Sequence, residues 1–98
     1  MSYTIGTRVG AICDADDHEV RLYGYGVYDG YFIPPPEILF LGAPIAHENP
    51  RITLDDGKVV WGCECWWGAE ERIKSMIGSR KVVLVDIEDH RAESQRAE

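Results

Sequence analysis

The stretch RITLDDGKVVWGCEC, residues 51–65, decides the fold of this 98-residue chain. Two apolar runs flank Asp56-Gly57, a dipeptide typical of the two-residue turns that join antiparallel strands. With such a turn, the register places four apolar side chains on one face, so the stretch predicts a hairpin that is buried on one side. The predicted pairs on that face are Leu54 with Val59 and Ile52 with Trp61.

The same strand runs into VVWGCECWW, residues 59–67, where cysteine and tryptophan are crowded together. If the strand continues, alternation places Cys63, Cys65 and Trp67 on the inward face and Trp66 on the outward face. A free cysteine behaves as a small hydrophobe and is among the residues most often buried. We therefore interpret the two cysteines as core residues and Trp66 as the exposed aromatic residue of the stretch.

An alternative interpretation is a metal or thiol redox site at Cys63 and Cys65. Side chains two residues apart on a strand lie roughly 6.6 Å apart at Cα, which suits two thiolates on one soft metal better than a disulfide. A structural zinc site needs further ligands, and Cys13, His18 and His47 are the candidates. A single C-x-C pair is a weak signal, so no cofactor is predicted.

Two further strands are expected before the hairpin. Alternating apolar residues predict one strand from Tyr3 to Cys13 and a second from Val20 to Tyr28. Asp29-Gly30 then predicts a turn, with a short return strand at residues 31–33 that the prolines at 34–36 must end. The pattern of residues 37–46 is compatible with either a strand or a single helical turn.

The C-terminal third predicts one helix and one more strand. Residues 69–77 carry an apolar stripe at helical spacing, and Gly78 is placed to end the helix. The apolar run KVVLVDI, residues 81–87, predicts a central or well-covered strand. Residues 91–98 read as a polar tail, frayed or weakly helical.

These elements predict a single compact domain over residues 1–90 of the α+β class. The expected architecture is a small, mainly antiparallel twisted sheet or open barrel of five to seven short strands, with one late helix and a C-terminal strand. A doubly wound parallel fold would need repeated strand–helix–strand units, and the chain has room for one at most.

Negative charge is concentrated in one third of the sequence. The net charge is −7, and residues 14–48 hold seven acids and one base, which gives −6 for that segment. Such a field repels nucleic acid and favours a protein partner with a basic surface, although acids also serve simply to keep loops solvated. Tyrosines projecting beside the acidic loop suit a binding surface. The predicted partner-binding residues are Asp14, Asp16, Asp17, Glu19, Tyr23, Tyr25 and Trp66.

The leading functional hypothesis is a small acidic binding domain, with an inhibitor or immunity-like role among its uses. No catalytic residue is predicted, because every carboxylate lies in polar context with no reason for a raised pKa. No apolar run approaches the ~18 residues needed to cross a bilayer, and three cysteines suit reduced thiols in the cytoplasm. A third hypothesis is an aromatic-lined small-ligand pocket near Tyr23, Tyr25 and Trp66. The oligomeric state is left open.

Overall fold

In the computed structural model, residues 3–96 are described, and they form a mainly antiparallel sheet with two late helices, which confirms the predicted α+β class. The main sheet has the strand order β6-β5-β2-β1-β7, with β8 also paired to β2, while β3 and β4 form a separate two-stranded ladder. The strands are β1 (Arg8–Ala15), β2 (Glu19–Phe32), β3 (Leu39–Phe40), β4 (Ala43–Pro44), β5 (Asn49–Leu54), β6 (Val59–Trp61), β7 (Trp66–Ala69) and β8 (Lys81–Leu84). The helices are α1 (Glu70–Ile77) and α2 (Ile87–Arg96), and Gly62–Glu64 forms a 3-10 turn.

Strand β2 is the axis of the sheet because it pairs along both of its edges. Its first half runs parallel to β8, and its second half runs antiparallel to β5. The turn predicted at Asp29-Gly30 is wrong, since β2 continues to Phe32 through a bulge at which Gly30 has a φ of 107°. A glycine with positive φ serves a bulge as well as a turn, so the dipeptide alone does not distinguish the two.

The hairpin of β5 and β6 forms, but its register is one residue away from the prediction. Ile52 pairs with Val60, whereas the predicted partner was Trp61. The loop holds three residues, because the amide of Leu54 donates to the carbonyl of Lys58 and Gly57 adopts a φ of 90°. A shift of one residue turns every side chain of β6 to the other face.

Both faces of the sheet are covered, each by a different helix. On one face α1 buries Ile73 and Ile77 against the sheet, as the predicted apolar stripe requires, although Met76 stays exposed. On the other face Ile87, the first residue of α2, is 1% exposed. The cluster under α1 is completed by Ile12, Val20 and Leu22, and the cluster under α2 by Val9, Ala11, Tyr23, Tyr28, Ile52, Leu54 and Val60.

Helix α2 differs from the polar tail that the sequence predicts for residues 91–98. Its start is fixed by the Asp86 carboxylate, which accepts the amides of Glu88 and Asp89 at 2.8 and 3.2 Å. An acidic side chain that accepts the first free amides of a helix is a standard N-cap. Residues 91–96 therefore belong to the helix, and residues 97 and 98 lie outside the described part of the chain.

Strand β8 lies at an edge, so the prediction of a well-covered strand is wrong. It pairs in parallel with residues 19–22 of β2, and Leu84 is 75% exposed. An apolar run is compatible with a central strand or with an exposed edge, and only the pairing distinguishes them. The segment of residues 37–46 adopts the short β3–β4 ladder.

Candidate functional site

The turn between β1 and β2 gathers the acidic residues 14–19 at one end of the sheet. The Asp16 carboxylate accepts the amides of His18 and Glu19 at 2.7 and 2.9 Å, and these two hydrogen bonds hold its pKa below the usual range. Asp14 pairs with Arg21 at 2.9 Å. Asp16 therefore has a structural task in the turn, whereas Asp17 is an exposed carboxylate at its tip.

The other acids of residues 14–48 do not join this group. Asp29 lies on the second half of β2, where it accepts a hydrogen bond from Thr53 and pairs with Arg51 at 3.5 Å. Glu37 and Glu48 lie in the segment that joins β2 to β5. The charge that is contiguous in sequence is thus divided in space between two parts of the fold.

Tyr23 and Tyr25 lie on opposite faces of the sheet, so the prediction that both project beside the acidic loop is wrong. The register passes from Ala11–Gly24 to Ile12–Leu22, so Tyr23 is the extra residue of a bulge and reverses the alternation. Tyr23 is only 6% exposed, and burial raises the pKa of its hydroxyl.

Each tyrosine is covered by the helix on its own face. Tyr23 packs edge-to-face against His90 of α2, with ring centroids 5.9 Å apart. The ring of Tyr25 lies under Lys74 of α1, whose ammonium is 5.5 Å from the ring centroid. Because residues 91–98 were predicted to be a polar tail, no element was expected to cover Tyr23.

Trp66 is 74% exposed, which confirms the outward placement expected from alternation. It opens β7 opposite Ile12 of β1, while Trp67 faces the core and stacks on Tyr28 with centroids 5.6 Å apart. Beside Trp66 lies a groove of about 340 Å³, the Trp66 groove. Its lining residues are Ile12, Asp14, Ala15, Trp66, Met76 and Arg80.

Arg80 fixes the far wall of the Trp66 groove. Its guanidinium donates to the carbonyls of Met76 and Ile77 at the end of α1, the second at 3.2 Å, and to the carbonyl of Asp16 at 3.0 Å. One side chain thereby ties the C-terminus of α1 to the acidic turn. The apolar and acidic walls of the groove are held at a set distance by this contact.

The two cysteines of the C-x-C pair do not share a face, because the 3-10 turn at residues 62–64 interrupts the predicted strand. Cys65 packs against the core under α2, and Cys63 packs against a separate small cluster that contains Trp61. Burial raises the pKa of the Cys65 thiol to about 12 and raises that of Cys63 as well. Both thiols therefore stay protonated near neutral pH, and a protonated thiol is a weak nucleophile.

All three cysteines nevertheless line one open cavity of about 360 Å³, the cysteine cavity, together with Glu64 and Trp66. Glu64 is held in place by Arg91 at 2.7 Å. Among residues 3–96, no group of three or more histidine, cysteine or carboxylate side chains is arranged to hold a metal ion. Of the predicted ligands, His18 lies in the acidic turn, and His47 lines a different pocket with Cys63.

His90 is the residue of this region that was not predicted from the sequence. Its Nδ1 lies 3.9 Å from the sulfur of Cys13. The sequence does contain a pattern that indicates this position. In a helix that begins with the apolar Ile87, position 90 lies three residues later on the same face of the helix as Ile87. Recognition of α2 would have placed His90 against the sheet.

The three aromatic residues of the small-ligand hypothesis do not meet. Tyr23 and Tyr25 line a groove with Leu54 and Leu84, in the gap that β8 and β5 leave along β2. Trp66 lies on β7, on the far side of β1. The combined pocket expected from the sequence is therefore not formed.

Comparison with known proteins assigns no family: no family model matches the chain, and no curated protein or solved structure matches it either. Within the described residues, every helix is too short or too polar to cross a membrane.

Proposed function

We propose that this chain is a small binding domain that engages a protein partner with a basic surface through the Trp66 groove and the adjoining acidic turn. The observation that carries the proposal is the exposure of Trp66 beside that turn. Tryptophan is a costly residue to leave in water, and it dominates the energetics of many protein interfaces.

The groove has the chemistry to take a lysine or arginine side chain of the partner. The aliphatic stem would lie along Trp66 and Met76, where it removes apolar surface from water. The charged end would meet Asp14 on the wall or Asp17 on the turn, and a cation over the indole adds a cation–π interaction. Arg80 competes little for such a partner because its donors are already committed to backbone carbonyls.

A cytoplasmic location is part of the proposal. Cys13, Cys63 and Cys65 are all free thiols, the state that a reducing compartment maintains. Electrostatic attraction to a basic partner would act mainly on the association rate, so binding should weaken as salt is raised.

The experiment is affinity capture from cell extract with quantitative mass spectrometry, followed by affinity measurement on the purified partner. The two test variants are Trp66→Ser and the double change Asp17→Lys with Glu19→Lys. Asp16 is left in place, because its carboxylate holds the turn together. The matched controls are Phe40→Ser, an exposed aromatic residue elsewhere, and Glu93→Lys on α2.

We expect both test variants to lose the captured partner and both controls to retain it. Loss of Trp66 should weaken binding by at least about 2 kcal/mol, or about 30-fold, as hot-spot tryptophans do. The proposal is overturned if the test variants capture the same proteins as the parent chain, or if the partner binds with no dependence on salt.

A further inference from the structure

Cys13 is the cysteine whose surroundings favour reaction. Its sulfur lies 3.9 Å from His90 Nδ1, and the contact joins β1 to α2. In the tautomer with the proton on Nε2, this nitrogen is free to accept a proton from the thiol. Cys13 is partly exposed and lines the cysteine cavity, so a reagent entering the cavity reaches it.

A second observation concerns the surroundings of the Cys13 sulfur. The hydroxyl of Tyr23 is buried beside Cys13, and after burial the contact with Cys13 is the next cause that raises the pKa of this hydroxyl. Buried polar groups are nearly always satisfied, and the Cys13 sulfur is the acceptor beside this hydroxyl. A sulfur that carries negative charge is a better acceptor for this hydroxyl than a thiol is.

The other two cysteines of the cavity provide an internal contrast. Burial raises the pKa of both Cys63 and Cys65, and the Cys65 thiol also donates to the carbonyl of Trp61 at 3.5 Å. Cys13, in contrast, lies against the imidazole of His90. The cavity thus holds one thiol that lies beside an imidazole and two thiols whose pKa is raised by burial.

We propose that Cys13 is a thiol-modification site that forms a mixed disulfide with small cationic disulfides, with His90 as the base. The thiol proton passes to His90 Nδ1, and the sulfur attacks one sulfur of the small disulfide. The S–S bond of the reagent breaks as the new S–S bond forms, and the departing thiolate takes the proton from His90. The products are the modified chain and one small thiol, so no further oxidant is required.

Carboxylates set the preference for a cationic reagent. Asp14 Oδ2 lies 4.0 Å from the Cys13 sulfur, and Glu64 lies on the cavity wall. Arg91 pairs with Glu64 and Arg21 pairs with Asp14, and Asp14 is the more exposed of the two carboxylates, so it is the one that an entering ammonium group meets. A disulfide with ammonium ends is attracted to this site, and a disulfide with carboxylate ends is repelled.

The test measures the rate at which each cysteine is modified at one pH near neutrality. Mass spectrometry of the intact chain and of its peptides gives the extent of modification at each cysteine over time. The probes are cystamine, which is dicationic, and dithiodipropionate, a dianionic aliphatic disulfide of similar length. Each rate is taken relative to the rate of the same probe with a small free thiol, because the pKa of the leaving thiol sets the intrinsic rate. In the parent protein we expect Cys13 to react with cystamine at least about tenfold faster than Cys63 or Cys65. Mapping on the parent chain needs no variant, so a folding defect cannot obscure the result.

Two histidine variants test whether His90 acts as the base for Cys13 or whether the loss of any histidine slows the reaction. His90→Gln should slow the reaction of Cys13 by about tenfold or more. This is smaller than the roughly 100-fold in rate that a positioned base often contributes. His18→Gln, in the distant acidic turn, should leave the rate unchanged. The proposal is overturned if Cys13 reacts no faster than Cys63, if His90→Gln matches the parent, or if the dianionic probe reacts faster than cystamine.

Discussion

Truncation of Ile87 to alanine tests whether α2 is an integral part of the core. The side chain is 1% exposed and packs in the cluster that contains Tyr23 and Leu54. Replacing a buried isoleucine by alanine costs about 2–5 kcal/mol, from lost apolar burial and from the cavity left behind. Alanine favours helix more than isoleucine does, so helix propensity acts in the opposite direction.

A loss near the middle of that range, about 3 kcal/mol, is a large share of the roughly 5–15 kcal/mol that stabilises a domain. It corresponds to a fall in Tm of about 12–24 °C for a chain of this size. Urea unfolding followed by tryptophan fluorescence measures it directly, because Trp67 packs against the same cluster. The control is Glu93→Ala, an exposed change on the same helix, which should alter the unfolding free energy by less than about 0.5 kcal/mol. A loss below about 1 kcal/mol for Ile87→Ala would refute the packing of α2 described above.

Two further outcomes follow from the sheet and from the cap of α2. Gly26→Ala should cost about 3 kcal/mol or prevent folding, because the new Cβ would overlap the carbonyl of Thr53. The control is Gly68→Ala, whose Cβ meets nothing closer than 3.8 Å and which should unfold at a similar urea concentration to the parent. Equal losses of stability in the two variants would contradict this reasoning. The hydrogen bond from Lys58 is the main cause that lowers the pKa of Asp86 in the folded chain. The Asp86 carboxylate therefore stabilises the fold at pH values above its unfolded pKa of about 3.9. This stabilisation is lost as the pH falls through the lower pKa of the folded state. Asp86→Asn should therefore flatten the fall in unfolding free energy as the pH is lowered below about 4, measured by urea titration, and an unchanged slope would show that the Lys58 contact is unimportant.

Local chemistry was sufficient to predict several elements. The helix at residues 70–77 follows from Ile73 and Ile77 at helical spacing with Gly78 beyond them, and the structure confirms it with Gly78 at a φ of 59°. The outward placement of Trp66 was also correct, although it was argued from an unbroken strand through residues 62–64 that the structure does not contain.

Two of the errors share a cause, which is a change of one residue in a pattern with a period of two. The three-residue loop before Lys58 moved Trp61 to the other face, and the bulge at Tyr23 placed it opposite Tyr25. Alternation reports which residues share a face only while the strand stays regular. A bulge or an additional loop residue has little signature in a single sequence, because glycine serves turns and bulges alike.

The sequence by itself determined the α+β class, the late helix and the exposure of one tryptophan, because these depend on contacts between near neighbours in the chain. Only the tertiary structure decided which acids lie together, which tyrosine is buried and which histidine meets Cys13. Each of these depends on where β8 and α2 return to the sheet, and that position is selected by the burial of residues far apart in sequence, such as Ile87 against Tyr23. Such long-range packing leaves only a weak trace in local patterns, which is why the Cys13–His90 contact became visible only in the folded chain.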